Sequence, residues 1–297
     1  MEKLWRSWEP RVILPTFRGC DNIIDFSVNS SLNRSRGGIF YSLSYPIYNL
    51  YKKRNSFRTM LRHYRNMIFR SAIRYRCILL SREGEYLYQW KLEGRYREGD
   101  YFRVNINDVA RQSGLEEVLE ADNLIVVVAS RGRNDTCMSS PGSITIKYIN
   151  DKKISGFRTG LFSRVLNEGA AGHFGFTGVN PTVMLRRDVR SSILLVNHSS
   201  SSSYKKVVNP TIRLYRSPDE YLESGFGAIQ PLGAREQALL DVFPEAEEFL
   251  AESSGSGCTV ATVKGFSLAS FHVFRDGRGE LMAIDHSRPA HTNIIGR

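Results

Sequence analysis

CILLSREGEYLYQWKLEGRYREGDYFRVNINDV, residues 77–109, and TIRLYRSPDEYLESGFGAIQPLGAREQALLDVF, residues 211–243, decide the fold, because they are two versions of one pattern. Each has an apolar run, a turn (REGE in one, a Ser-Pro-Asp turn in the other), a second run, a long connection and a third short run. Beyond them, DNLIVVVASRGRND (122–135) takes the place that GCTVATVKGFSLAS (257–270) takes later. Identities are few, but the succession of turns and apolar strands agrees. Strands this frequent, with only short helices between them, argue against a parallel α/β chain. They predict a mainly β protein made of two tandem antiparallel β-sandwiches of jelly-roll-like type.

Working outward, LIVVVASR is an unbroken apolar strand of the kind covered on both faces, and SITIKYIN alternates cleanly. SSILLVNHSS is a buried strand in the second half. VARQSGLEEVLE and DVFPEAEEFLAE are expected to be short helices. Upstream, NSFRTMLRHYRNMIFR (55–70) sets Phe57, Met60, Leu61, Tyr64, Met67 and Ile68 at helical spacing opposite arginines, which predicts one basic amphipathic helix. The expected organisation is a docked N-terminal arm (1–33), a first sandwich with the basic aromatic segment (34–150), a glycine-rich joint (151–181) and a second sandwich (182–297). Within the joint, glycine recurs at Gly169, Gly172, Gly175 and Gly178, with His173 among them.

The net charge of +11 is local. From Phe26 to Arg82 there is no Asp or Glu, whereas Lys and Arg occur at 34, 36, 52, 53, 54, 58, 62, 65, 70, 74, 76 and 82, so the rest of the chain is close to neutral. Ten aromatics lie in the same stretch, among them Phe26, Tyr64 and Tyr75. Cations interleaved with rings suit an anionic partner, whether an acidic protein surface, a glycan, a lipid headgroup or nucleic acid. Lys52, Lys53, Arg54, Arg58, Arg62 and Arg65 are the candidate contacts. The helix could also lie on a membrane surface. MEKLWRSWEPRVILP lacks the apolar run of a signal peptide, and no stretch of about 18 apolar residues spans a bilayer. A cytoplasmic protein without a transmembrane segment, peripheral to a membrane at most, is therefore expected. Four cysteines, Cys20, Cys77, Cys137 and Cys258, have no disulfide or zinc spacing.

The run ILLVNHSS, TIRLYRSPDEYL, GAIQPLGARE, CTVATVKG and ASFHVFRDGR resembles, in that order, the small β-sandwich domain of sensory rhodopsin transducers. Asn197, the Ile229–Gly233 edge and His272 stand at the matching positions. The resemblance covers about 100 residues, or about 200 if the first half is a diverged copy. It implies a non-enzymatic binding or signalling fold that tends to oligomerise. Duplication, the basic segment and the C-terminal SRPAHTN depart from that family, so a photosensory role does not carry over.

Three groups of residues could carry chemistry. Five of the six histidines, His173, His198, His272, His286 and His291, lie in the second half; convergence at one sandwich end would hold Zn, Fe or Cu and imply a cupin-like oxygenase or hydrolase. No nucleophile elbow, P-loop or dinucleotide fingerprint is present. Arg131, Arg133, Asn134 and Asp135 after one apolar strand, with Asn197, His272, Arg275, Asp276 and Arg278 in the second half, are planar donors and carboxylates suited to carbohydrate hydroxyls or a partner's carboxylates. The favoured expectation is a non-catalytic binding, scaffold or signalling protein that needs no cofactor and forms a homo-oligomer or part of a larger assembly. A histidine-ligated metal enzyme is its rival.

Overall fold

A computed structural model describes residues 4, 5, 9, 11–28, 73–96, 99–130, 143–151, 153–160, 175–199, 202–264 and 268–286. The chain is mainly β, in antiparallel sheets with a few short helices. Eight strands form the first half: β1 (Arg11–Thr16), β2 (Asp21–Ser27), β3 (Arg74–Ser81), β4 (Tyr86–Lys91), β5 (Tyr101–Asn105), β6 (Asn123–Ser130), β7 (Ser143–Asn150) and β8 (Lys153–Gly160). They make two sheets, ordered β1-β6-β3-β4 and β5-β2-β7-β8. Eight more follow: β9 (Gly175–Arg186), β10 (Val189–Asn197), β11 (Thr211–Ser217), β12 (Glu220–Gly225), β13 (Ala234–Ala238), β14 (Ser256–Lys264), β15 (Leu268–Arg275) and β16 (Leu281–His286). Their order is β9-β14-β11-β12 and β13-β10-β15-β16, which is the first order with eight added to every number. The helices repeat too. Ile106–Gln112 follows β5, capped by Asn105 accepting from the amides of Asn107 and Asp108, and Leu239–Val242 follows β13. One difference is a two-residue pairing of β9 with β10, which joins the two sheets of the second unit.

This topology moves three of the expected boundaries. Residues 11–27, expected in a docked arm, are two integral strands, and β2 lies between β5 and β7 in the middle of its sheet. The one or two extended segments expected within that arm are thus β1 and β2, and it is their place inside two sheets, rather than their extended form, that Pro15 and the paired isoleucines Ile23 and Ile24 conceal. The glycine-rich joint is strand at both ends, in β8 and β9. Gly156 belongs to β8, where a side chain would strike the backbone carbonyl of Ile146 on β7. The basic amphipathic helix expected at 55–70 falls outside the described residues.

The two units stack. Every residue of β6 from Asn123 to Ala129 is buried, so both faces of its sheet are covered. On one face Tyr75 meets Phe26 and Phe102 of the partner sheet, with ring centroids 5.0 and 5.6 Å apart. On the other, Ile13 and Ile78 flank Val126, and they share one core with Leu194, Val196, Phe271, Val273 and Ile284 of the second unit. Ile193 and Leu195 alternate with these and enter a second core, with Ile212, Leu214, Leu239 and Ala261. The layers therefore run β5-β2-β7-β8, then β1-β6-β3-β4, then β13-β10-β15-β16, then β9-β14-β11-β12. At one edge β8 meets β16, where the Ile284 amide donates to Ser155 Oγ (2.9 Å) and Phe157 packs on Phe271 and His286.

Matching backbone bonds fix which residues correspond. The Val28 amide donates to the Asp100 carbonyl just as the Asn197 amide donates to Gly233, so Asp25 and Ser27 stand where Leu194 and Val196 stand. By the register of the neighbouring strands, Thr145 and Lys147 then occupy the places of Phe271 and Val273. The face that is aliphatic and buried in the second unit is polar and outward in the first. At the far end, the outer face of β9-β14-β11-β12 carries Thr211, Arg213, Tyr215 and Thr262. Repeat stacks end this way: each fully buried aliphatic side chain is worth about 1.5–3 kcal/mol, and terminal faces must be polar to stay soluble.

Candidate functional site

The seam between the units gathers several of the residues singled out by sequence. Arg275 grips Glu236 through Nε (2.8 Å) and Nη2 (3.0 Å) and donates from Nη1 to the Gly279 carbonyl (3.0 Å). Its guanidinium and that of Arg82 each lie 5.6 Å from the Phe17 ring centroid, with Asp122 3.9 and 3.7 Å away. Asp276 accepts from the amides of Arg278 (2.9 Å) and Glu280 (3.0 Å) and pairs with Lys153 of the first unit (2.9 Å). That hydrogen bond from Lys153 holds the Asp276 carboxyl at about 2. Expected to meet a ligand, Arg275 and Asp276 instead clasp the two units, because the turn carrying them abuts the first unit. Arg278 remains exposed and reaches only Glu280 and Asp276.

Asn197 is likewise internal. Fully buried, it donates from Nδ2 toward the carbonyls of Lys206 (2.9 Å), Ile229 (3.1 Å) and Gln230 (3.1 Å), tying the loop after β10 to the segment before β13. Asn197→Ala removes this shared donor, although the Ile229 and Gln230 carbonyls keep the amides of Val208 and Gly233, and is expected to cost about 1–3 kcal/mol in urea unfolding; a loss under about 0.5 kcal/mol would return Asn197 to the ligand candidates.

The described histidines do not converge. His272 pairs in register with Asp285, and its chain neighbour Phe271 pairs with His286, so His272 and His286 point to opposite faces of one sheet. His286 stacks on Phe157 at 5.1 Å, with Nδ1 3.3 Å from Asp285 Oδ1. His198 follows β10; burial and the nearby Arg11 guanidinium depress it to about 4. His272, held at about 4 by burial, lies 2.9 Å through Nε2 from Ser191 Oγ. Ser191 Oγ also accepts from the Met184 amide (2.7 Å), and its hydroxyl hydrogen and second lone pair suit either tautomer of the imidazole. A serine donating to a neutral imidazole is the hydrogen bond of a nucleophile and its base, but Ser191 is wholly enclosed, so the bond links β10 to β15. Among the described residues no group of three or more His, Cys, Asp or Glu could hold a metal ion. His173, His291, Arg131, Arg133, Asn134, Asp135 and the cations from Lys52 to Arg65 lie outside the described residues.

The acid-free stretch divides. Arg76 turns inward to Glu9 (2.5 Å) and Arg82 to Asp122, while Phe26 and Tyr75 are core residues. The alternation of β3 hides this, since arginines on one of its faces look free until the second unit covers them.

Sequence reasoning missed the outer face of β5-β2-β7-β8. Asp25, only 4% exposed, receives Arg103 Nε (2.7 Å) and Nη2 (3.2 Å) from β5 and Lys147 Nζ (2.6 Å) from β7. The Arg103 and Lys147 hydrogen bonds outweigh its burial and hold the carboxyl well below the usual carboxylate range. Arg158 on β8 pairs in register with Thr145 and donates to Ser143 Oγ (2.6 Å), and Tyr101, 63% exposed, pairs with Ser27. Three cations thus share the face with two carboxylates, Asp25 buried between Arg103 and Lys147 and Asp21 exposed beside Ile149. Period-2 charge in DNIIDFS, YFRVN and SITIKYIN was the signal. No helix among the described residues is long and apolar enough to cross a membrane.

No family model matches the chain, and no curated protein does. Among solved structures, a glycosyl hydrolase family 2 member from Bacteroides cellulosilyticus DSM 14838 aligns at 9% identity and a TM-score of 0.18, over 93% of this chain and 27% of that one. The chain spans about a quarter of that hydrolase's length, and a superposition of this quality carries no argument about fold or function.

Proposed function

We propose that the chain is a non-catalytic binding and assembly protein, in which the stacked pair of sandwiches is a scaffold for a basic, aromatic segment that engages an anionic partner. One observation carries this reading. Between β2 and β3 the connection runs over residues 28–73, whereas its counterpart between β10 and β11 runs only over 198–210. The lengthened connection contains no Asp or Glu, and it holds Lys52, Lys53, Arg54, Arg58, Arg62 and Arg65. An insertion of one charge sign in a single copy of a duplicated unit is not needed to complete that unit, since the other copy is complete without it. The likeness of the second half to transducer sandwiches points the same way, toward a binding fold that self-associates. The metal-enzyme alternative draws nothing from His198, His272 and His286, whose surroundings are described above.

Association with an anionic polymer is expected to weaken steeply with salt. Changing Arg58, Arg62 and Arg65 together to Glu should reduce affinity by two orders of magnitude or more at low ionic strength, read by fluorescence anisotropy. Salt-independent binding, or full affinity in the triple variant, would sink this reading.

A further inference from the structure

We propose that the outer face of the first unit's β5-β2-β7-β8 sheet binds single-stranded nucleic acid, through Arg103, Lys147, Arg158 and Tyr101. The proposal rests on the reading of an anionic partner and names its class and a second contact surface. A terminal face of a stack needs polarity, not a sign. At the far end the outward Arg213 is neutralised by the outward Glu223 on the neighbouring strand. The β5-β2-β7-β8 face departs from that: among the described residues Asp25 pairs with both Arg103 and Lys147, Arg158 donates to Ser143 Oγ rather than to a carboxylate, and Asp21, the other acid of β2 on that face, lies beside Ile149, two residues beyond Lys147 on the side away from Asp25.

Asp25 sits between two of those cations and is buried, whereas the Arg103 side chain is 55% exposed. The carboxylate therefore fixes the positions of Arg103 and Lys147 without covering them, so little conformational freedom is left to lose when phosphates dock. Cations fixed on adjacent strands suit a chain of phosphates, and Tyr101 beside Arg103 offers a ring on which a base can stack. An anionic membrane would use the cations, but the exposed apolar side chain of this face, Ile154, lies with Ile149 and Asp21 at the end away from Tyr101, whose own surroundings are Ser27, Ser143 and Thr145. The basic insertion leaves from the end of β2, the strand that carries Asp25, so both surfaces lie on one continuous stretch of chain.

The test uses the full chain and a labelled oligouridylate of roughly twenty nucleotides, long enough to cover such a face. Lys147→Gln with Arg158→Gln is expected to weaken binding at least tenfold at low salt and to lower the slope of log affinity on log salt by about 1.4, the loss of two phosphate contacts on a single strand. Tyr101→Ala should weaken it roughly tenfold, and Arg213→Gln at the far end should leave it unchanged. Circular dichroism and the unfolding midpoint of each variant must match the parent. Unchanged affinity in both Lys147→Gln/Arg158→Gln and Tyr101→Ala overturns the proposal. If those variants bind normally while the triple Glu variant does not, this face is excluded and the basic insertion stands. Binding confined to vesicles of equal phosphatidylcholine and phosphatidylserine, and lost in Lys147→Gln/Arg158→Gln, overturns nucleic acid in favour of a membrane.

Discussion

Leu194→Asp is expected to abolish stable folding. The substitution writes into the second unit the residue type that the first carries at the equivalent Asp25, and the two environments differ in one respect. Asp25 has Arg103 and Lys147 as partners on its neighbouring strands. Leu194 is wholly buried in a core shared with Val126, Val196 and Phe271, and its register partners are Glu236 and Phe271. Glu236, its register neighbour, already holds Arg275 with both oxygens and would repel the new carboxylate, while Arg82, the other cation of the seam, is drawn to Asp122. The introduced carboxylate loses about 2 kcal/mol of apolar burial and adds several kcal/mol for an unpaired charge, against a total stability of about 5–15 kcal/mol. Loss of soluble protein, or a fall in Tm of more than about 10 °C, is expected. Leu194→Ala, which leaves a cavity but no charge, should cost about 2–5 kcal/mol and keep the measurement possible if the first variant does not fold. A Tm within about 2 °C of the parent for both would mean that β10 is not an inner layer.

The duplication was legible because turn chemistry repeats where side chains do not. REGE and the Ser-Pro-Asp turn mark the same hairpin, β3–β4 and β11–β12, although the flanking residues differ. The stacking was half legible. LIVVVASR and SSILLVN read as strands covered on both faces, which is what β6 and β10 are, but a single strand cannot say what covers it. Register was the weak point. Laying residues 77–109 beside 211–243 sets Cys77 against Thr211, yet Cys77 faces the core while Thr211 faces out and Ile212 faces in. A slip of one residue exchanges every inward position for an outward one, and apolar runs conceal the slip because neither parity looks wrong. The structural partners of three candidate residues were hidden for a related reason. Arg275 and Asn197 look like free donors and Asp276 like a free acceptor when only the local strand is considered, and their partners, Glu236, the carbonyls before β13 and Lys153, come from elsewhere in the chain. Asp25, Arg103 and Lys147 looked like ordinary alternation, and only the second copy, with Leu194, Glu236 and Val273 at the same positions, shows that this set of one acid between two cations is particular to the first.

Stability should be level above about pH 6.5 and fall as pH drops from there to about 4. His198 and His272 are both held at about 4, His198 by burial and Arg11, and His272 by burial against the weak opposing pull of Asp285. A histidine whose folded value lies below its unfolded value of about 6.5 binds its proton more readily in the unfolded chain. Its contribution is therefore complete above the unfolded value and is lost as pH falls toward the folded one. For His272 the shift corresponds to about 3 kcal/mol over that window. The low-lying carboxyls act later. Asp25 and Asp276 are depressed, so they lose their contribution only below about pH 4, as pH falls through their folded values, and the two phases separate. Urea unfolding from pH 8 to pH 4 is expected to show the first phase, and His272→Gln, which can still meet Ser191 but cannot titrate, should remove part of it while leaving the fall below pH 4 intact. A parent protein equally stable at pH 7 and pH 4.5 would place both imidazoles in contact with water, and with that the enclosed Ser191–His272 bond would have to open to solvent and the site would again be a candidate for chemistry.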